Sequence, residues 1–420
     1  MINYKLSTLS NGLRVITAPM QNTKAVTLLI LVGIGSRYET DKQAGISHFL
    51  EHMFFKGTRN RPTYKEISQE LDYLGGDFNA YTGEEYTGYY VQAAADKFPK
   101  ALDILSDMFF NSIFPREEIE KEKGVICEEI NMYEDQPQSK VAEEAQKLVF
   151  SGSPLARPII GSKGTVKSVT QKDLINYHQI MYSPDNTIVV VAGASEQFNW
   201  QKEIANKFQN WKTKNALPRE AHKGLVIPNK NKIKVIHRKT DQAHFVLAFP
   251  TFKITDLRRP QLQVMTNLLG GMMSSRLFEE VREKRGLAYY VGAGTDDHHN
   301  AGALFIRAGV MLEKTKEAIK VVQNELKKIT KTSVHAEELR RSKENMKGQI
   351  YLGLEDSKSV AQYLANRVLY YDKIIQPEEI VKNIEAVTTA QIKDLAEQIL
   401  KPSNQNLAII GPFDKKYFSI

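Results

Sequence analysis

The sequence is poor in cysteine and contains no long apolar run. Cys127 is the one cysteine among 420 residues, so an intrachain disulfide is excluded, which fits a reducing compartment. The longest apolar run, residues 25–35, is about half as long as a membrane-spanning helix needs. The N-terminus shows no basic leader followed by an apolar stretch. We therefore expect a cytoplasmic protein without a membrane segment.

Charge of one sign is also not concentrated anywhere in the chain. The formal net charge is +8, but the lysines are spread along the sequence. The densest basic run, residues 229–240, reads as a linker that enters an exposed strand. No nucleic-acid-binding motif is recognisable. The sequence therefore predicts no nucleic-acid partner.

The chain is too long for one ordinary core, and it contains a repeat. The segment SVTQKDLINYHQIMYSPDNTIVVVAG (168–193) aligns without gaps on AVTTAQIKDLAEQILKPSNQNLAIIG (386–411), with Val-Thr, Pro, Asn and Gly at matching positions. Strand-like and helix-like segments alternate in both halves. We predict an α+β protein with two homologous α/β-sandwich halves that face each other across a cleft. Residues 1–212 and 232–420 form the halves, and residues 213–231, rich in Pro, Lys and Asn, form the linker.

Two histidines and a glutamate lie together in the stretch GISHFLEHMFFKGT. The spacing predicts a helix around residues 43–55, on which His48 and His52 are one turn apart and share a face. Two such imidazoles can bind one metal ion. Glu51 projects from nearly the same side, where a carboxylate can take a proton from a water that the metal polarises. The aligned positions of the second half are Asn267, Gly270 and Gly271.

A third ligand is expected from a helix predicted at 116–134, because a catalytic zinc site usually has three protein ligands. At about 100° per residue, its apolar stripe comprises Ile119, Ile126, Ile130 and Tyr133. Glu122 and Glu129 lie together at the edge of this stripe, whereas Glu128 points towards water. Glu129 is the predicted third ligand, and Glu122 is a supporting carboxylate or an alternative ligand. Cys127 lies off this face and is expected to pack in the core. In the second half, Ser342 and Gln349 replace the two acids.

The H-x-x-E-H motif followed by Glu129 resembles the inverzincin metallopeptidases of the pitrilysin type. The stretches GSRYE…GISHFLEHMFFKGT and EKEKGVICEEINMYED are similar to the mitochondrial processing peptidase and its bacterial relatives. The resemblance implies one zinc ion per chain, held by His48, His52 and Glu129. It also implies Glu51 as the general base and Glu122 as the supporting acid.

The resemblance further implies residues that bind substrate. In VREKRGLAYYV, Arg282 and Tyr289 match an arginine and a tyrosine that hold substrate and stabilise the reaction in this family. Residues 75–93 are expected to form a hairpin with Gly83 in its turn. Asn79 and Ala80 then match an exposed strand edge to which a peptide can add through main-chain hydrogen bonds.

These observations predict a zinc-dependent endopeptidase that hydrolyses extended oligopeptides or unfolded segments. The resemblance implies a homodimer whose halves enclose a chamber. Two alternatives stay open: a catalytic subunit of a heterodimeric processing peptidase, and a non-catalytic scaffold subunit. The intact metal motif argues against the scaffold. The missing targeting segment favours a bacterial cytoplasmic protein over the processing peptidase.

Overall fold

A computed structural model describes residues 1–194, 198–212 and 232–418, which fall into two compact units. The described residues of the first unit lie within 1–130, 157–221 and 352–376, and those of the second within 131–156, 222–351 and 377–420. The predicted linker, 213–231, lies outside the described residues, so the predicted boundaries stay predictions. Sequence reasoning did not anticipate that the short segments 131–156 and 352–376 each join the unit built mainly from the other half of the chain.

The strands in the described part of the chain form two sheets, one in each unit. In chain order they are β1 (Lys5–Thr8), β2 (Arg14–Pro19), β3 (Ala25–Val32), β4 (Asp77–Thr82), β5 (Thr87–Ala94), β6 (Thr187–Gly193), β7 (Lys232–His237), β8 (Gln242–Thr251), β9 (Ala288–Asp297), β10 (Gly302–Met311) and β11 (Asn406–Gly411).

The described residues also contain α-helices, several of which pack on the faces of these sheets. They are α1 (Ile46–Met53), α2 (Tyr64–Tyr73), α3 (Phe98–Asn111), α4 (Arg116–Asp135), α5 (Pro137–Val149), α6 (Lys163–Ser168), α7 (Gln171–Met181), α8 (Trp200–Phe208), α9 (Arg259–Thr266), α10 (Thr315–Lys331), α11 (Ala336–Leu352), α12 (Ser357–Tyr371), α13 (Pro377–Glu385) and α14 (Thr389–Ile399). Short π-helical turns lie at Asn267–Gly271 and Phe278–Glu283.

The sheet of the first unit has the order β1-β2-β6-β3-β5-β4. Strand β3 is antiparallel to both neighbours and almost fully buried, as its unbroken apolar sequence requires. One face of the sheet packs against α1, α3, α4, α7 and α8. The other face packs against Val360, Leu364 and Val368 of α12. Because β4 is last in the strand order, it forms an edge of this sheet. It lies beside α1, the helix that carries the histidines.

The sheet of the second unit has the order β7-β11-β8-β10-β9. Residues of α9, α10 and α14 pack on one face, and Val141, Ala145 and Val149 of α5 pack on the other. Each unit is thus a sheet between two helical layers, and the predicted class of two α/β halves is confirmed.

The internal repeat is visible in the local structure. Thr170 and Thr388 each cap a helix through a reciprocal pair of hydrogen bonds with the third helical residue. The helices, α7 and α14, each lead through a short 3-10 turn that begins with proline into a buried strand, β6 or β11. The two aligned segments therefore fold alike, which confirms the predicted duplication.

Three local predictions can be compared with the structure. The helix predicted around 43–55 is shorter, because Gly45 has a left-handed backbone and the helix begins after it, at Ile46. The predicted hairpin is present as β4 and β5, and Gly83 N donates to Tyr86 O at 2.8 Å. In α4 the three isoleucines are buried, but the prediction for Tyr133 is wrong: it is exposed, because the part of α4 in the core of the first unit ends at Ile130.

Candidate metal centre

The start of α1 is fixed by backbone geometry and by a buried acid. Gly45 has φ of +94°, and a Cβ there would lie 2.6 Å from Ile160 O, so glycine is required. The Glu39 carboxylate accepts hydrogen bonds from Gly45 N and Ser47 N, both at 2.8 Å. Burial raises the pKa of Glu39 to about 7, although these hydrogen bonds act in the opposite direction. The helix that carries both histidines therefore starts from a defined position.

His48, His52 and Glu129 form the group that could hold a metal ion. The Nε2 atoms of His48 and His52 each lie 3.7 Å from Glu129 Oε2. The two imidazole centroids are 4.7 Å apart, and one ligand atom from each of the three residues lies within 4.8 Å of the others. These separations are longer than a hydrogen bond but short enough for one ion to bridge all three atoms.

The protonation state of His48 suits a metal ion. Burial lowers the pKa of His48 to about 3, and the neighbouring His52 adds to the effect, so the imidazole is neutral at physiological pH. His48 Nδ1 is buried and has no hydrogen-bond partner among the described residues. Two imidazoles and one carboxylate are a donor set typical of catalytic zinc. The residues present therefore fit zinc.

Glu122 supports this group from the same helix as Glu129. Its Oε2 lies 2.9 Å from His52 Nδ1, and its Oε1 lies 2.6 Å from Lys56 Nζ. Burial alone would raise the pKa of Glu122, but the hydrogen bonds with His52 and Lys56 outweigh it and lower the pKa. The carboxylate is thus charged and orients the His52 ring, with Nδ1–H towards Glu122 and Nε2 towards Glu129.

Glu51 lies between the histidines on α1 and is held by a strand residue. The Thr82 hydroxyl donates to Glu51 Oε2 at 2.5 Å. Burial raises the pKa of Glu51, although the Thr82 hydrogen bond opposes this shift. A carboxylate with a raised pKa beside a metal-binding group is suited to accept and return a proton.

The structure brings together five of the predicted site residues, all in the first unit: His48, Glu51, His52, Glu122 and Glu129. Their roles stay predictions. Cys127 is buried in the core, as expected, and Glu128 is exposed.

The predicted substrate-binding residues have the following positions. Asn79 is exposed and Ala80 is buried, both on the edge strand β4. Arg282 and Tyr289 belong to the second unit. The Arg282 guanidinium lies 4.8 Å from the centroid of the Phe278 ring, and the Tyr289 side chain at the start of β9 is 76% exposed. Their predicted roles are untested.

Sequence reasoning missed two residues of this centre, Lys56 and Thr82. Lys56 stands in the quoted motif, but a lysine just after a helix is usually solvated and gives no signal. Thr82 ends a strand whose register against α1 is set only by the folded chain. A threonine also gives no signal in the sequence, because its side chain is neither an acid nor a base.

No helix in the described part of the chain is both long and apolar enough to cross a membrane.

Comparison with protein families gives two matches that together span most of the chain. Residues 14–163 match the family described as insulinase (peptidase family M16), and residues 168–346 match the family described as the peptidase M16 inactive domain. The first match contains the whole candidate metal centre.

Curated bacterial proteins are similar over nearly the full length. The chain is 36% identical to the uncharacterised zinc protease YmxG of Bacillus subtilis over 410 residues, which cover 97% of this chain and 98% of that protein. It is 34% identical to an uncharacterised zinc protease of Rickettsia felis, with 99% of both chains covered.

Two solved structures share the fold. A protease from Helicobacter pylori is 22% identical, with a TM-score of 0.89 over 98% of this chain and 100% of that one. A peptidase M16 inactive domain from Pseudomonas fluorescens is 19% identical, with a TM-score of 0.89 over 98% and 99%. The likeness in fold agrees with the matches in sequence, and the chain belongs to peptidase family M16.

Proposed function

We propose that the protein is a zinc-dependent endopeptidase that hydrolyses extended oligopeptides or unfolded segments. His48, His52 and Glu129 hold one zinc ion per chain. The observation that carries this proposal is the approach of their three donor atoms to within 4.8 Å. Two bacterial relatives are named as uncharacterised zinc proteases, which supports the same activity.

The chemistry follows from the positions of the protein groups. When bound by His48, His52 and Glu129, a zinc ion would act as a Lewis acid that polarises a carbonyl oxygen and lowers the pKa of water. The Glu51 carboxylate accepts the proton of the attacking water and then delivers it to the nitrogen of the departing amine. Glu122 keeps the His52 ring in one tautomer and one orientation throughout.

The substrate binds as an added strand on β4, where Asn79 and Ala80 lie. Strand β4 pairs with β5 on one side and ends the sheet on the other. Main-chain hydrogen bonds to such an edge do not depend on the side chains of the peptide. This mode selects an extended backbone and accepts many sequences.

The second unit contributes Arg282 and Tyr289, which donate hydrogen bonds to the substrate and to the oxyanion that forms on its carbonyl. The chains act as a homodimer that encloses a chamber, so that folded proteins are excluded by size. Mixing an inactive Glu51→Gln chain with an inactive Arg282→Ala chain tests where the arginine acts. Recovery of activity in the mixture means that the two residues can work from different chains, and no recovery means that they work within one.

The first test is hydrolysis of a quenched fluorescent oligopeptide library by the purified chain alone. Wild type, Glu51→Gln and chelator-treated wild type are compared, and Glu128→Gln serves as the matched control because Glu128 is an exposed acid beside Glu129. We expect cutting by wild type and by Glu128→Gln only, while Glu51→Gln still holds one metal ion per chain.

Other outcomes separate the alternatives. If wild type binds zinc but cuts nothing alone and cuts after a second subunit is added, the protein is the catalytic subunit of a heterodimeric processing peptidase. If it binds zinc and cuts under neither condition, the proposed activity is wrong and a scaffold role is favoured.

A further inference from the structure

Lys56 lies in a turn whose geometry is fixed just beyond α1. Its backbone nitrogen donates to Met53 O at 3.1 Å, so the chain closes back on the last turn of the helix. The next residue, Gly57, has φ of +142°, and a Cβ there would lie 2.5 Å from Pro62 O. The turn therefore directs the lysine from a defined backbone position, near the helix C-terminus where a positive charge is favoured.

The two oxygens of Glu122 are bound by different partners. Oε1 lies 2.6 Å from Lys56 Nζ, and Oε2 lies 2.9 Å from His52 Nδ1. A carboxylate bound at both oxygens keeps a single orientation. The Glu122 side chain is only 6% exposed, so water cannot readily replace the ammonium group if it is removed.

We propose that Lys56 is a positioning residue for the metal centre, which acts by holding Glu122 against His52 Nδ1. The contact fixes the His52 ring so that Nε2, the atom that faces Glu129, is free to bind the metal. This inference rests on the proposed zinc site and adds a residue outside the ligands and the base. It requires Lys56 to affect metal affinity through Glu122, and not only through the stability of the fold.

A purely structural role is the competing explanation. Lys56 could also stabilise the end of α1 independently of Glu122, through its positive charge near the helix C-terminus, so its loss could loosen the unit in general. The two roles differ in how mutations combine. An effect transmitted through Glu122 disappears once Glu122 is changed, whereas two independent effects on stability add.

The experiment measures the zinc dissociation constant by competition with a chromophoric chelator. The proteins are full-length wild type, Lys56→Met, Glu122→Gln, the double variant and Lys121→Met. Lys121 is the matched control because it pairs with Glu118 on α4, at 2.5 Å, and is well exposed. The absorption spectrum of each protein loaded with Co²⁺ reports the ligand geometry independently of peptide hydrolysis.

We expect Lys56→Met to weaken zinc binding by about tenfold and to alter the Co²⁺ spectrum, as other residues that orient metal ligands do. In the Glu122→Gln background the same change has less than about a twofold effect. Lys121→Met leaves the zinc affinity unchanged. If Lys56→Met does not fold, Lys56→Gln replaces it, because it removes the charge and keeps a polar side chain.

Two results overturn the inference: a zinc affinity of the Lys56 variant within about twofold of wild type, or an equal loss with and without Glu122. Either result leaves the peptidase proposal intact if wild type binds zinc and cuts peptides. Conversely, if wild type binds zinc but does not cut peptides, the proposed activity is wrong and the proposed role of Lys56 is unaffected. If wild type binds no zinc, both proposals are wrong.

Discussion

The Thr82 hydroxyl donates a hydrogen bond to Glu51 Oε2 at 2.5 Å. Thr82 is the last residue of β4, the edge strand that carries Asn79 and Ala80, and Glu51 lies on α1 between the two histidines. The proposed base is therefore tied to the strand on which the substrate is proposed to lie. A displacement of β4 would therefore also displace Glu51, the proposed proton acceptor.

Replacing Thr82 by valine, which has nearly the same shape, is expected to lower kcat by about ten- to a hundredfold. The change removes one hydrogen bond to a charged group, which contributes about 1.5–3 kcal/mol. Because the metal ligands are unchanged, zinc content stays at the wild-type value and KM changes little. Steady-state kinetics and metal analysis measure both. Thr82→Ser keeps the hydroxyl and serves as the control; a normal kcat in Thr82→Val contradicts the proposed role.

Replacing Glu129 by glutamine is expected to abolish stable metal binding. The carboxylate is the one charged donor of the group, and its Oε2 lies 3.7 Å from each histidine Nε2. Atomic emission after dialysis measures the metal per chain. Glu128→Gln, one residue away on the exposed side of α4, retains the metal. Equal metal content in both variants would mean that Glu122 is the third ligand and that Glu129 is not.

The sequence contains most of this centre because its signals are local or helical. His48, Glu51 and His52 lie within one and a half turns, and the phase of a regular helix separates Glu129 from Glu128. The repeat is equally easy to recognise in the sequence, because both copies keep the same order of helix cap, proline turn and buried strand. Helix length is less predictable: apolar Phe54 and Phe55 extend the apparent pattern of α1 beyond Met53, where the helix ends.

Contacts between distant parts of the chain could not be predicted in the same way. The Lys56–Glu122 pair and the Thr82–Glu51 hydrogen bond depend on how α4 and β4 pack beside α1. The packing of α12 on the first sheet is a further example. Its Ser357 hydroxyl lies 2.8 Å from that of Thr27, which is far away in sequence. A periodic apolar pattern predicts that such a helix packs on something, but does not identify the surface.

His178 is expected to make the first unit less stable in mild acid. It packs among aromatic rings, with centroids 5.3 Å from Phe54 and 5.1 Å from Tyr182. Burial lowers its pKa to about 4 from an ordinary value of 6.5, against a hydrogen bond with the backbone of Phe109. The unfolded chain therefore binds a proton that the folded chain does not. The stability that the neutral His178 imidazole provides is fully present above pH 6.5 and is lost as the pH falls towards 4.

Urea unfolding of metal-free protein between pH 7 and 4 tests this expectation. Both tryptophans, Trp200 and Trp211, lie in the first unit, so their fluorescence follows the unfolding of that unit. His178→Gln, which does not titrate, is expected to lower the free energy of unfolding at pH 7 but to flatten its fall in acid. His335→Gln, at an exposed position of the second unit, leaves the slope unchanged. Parallel curves for wild type and His178→Gln contradict the assignment.

Addition of the substrate to β4 predicts how backbone methylation affects cleavage. In a β-ladder, successive residues direct their N–H groups alternately towards the partner strand and away from it. A series of peptides, each N-methylated at one position, should therefore show losses in kcat/KM at every second residue. Each loss is about three- to tenfold, the contribution of one hydrogen bond. Positions next to the scissile bond are left out, because methylation there alters the reacting amide itself.

A matching series, in which each residue of the peptide is replaced in turn by alanine, serves as the control. Its kcat/KM values should vary much less, because the edge strand β4 contacts the main chain of the peptide. Losses that follow the side chains and show no alternation would mean that pockets, and not the free edge at Asn79 and Ala80, select the substrate.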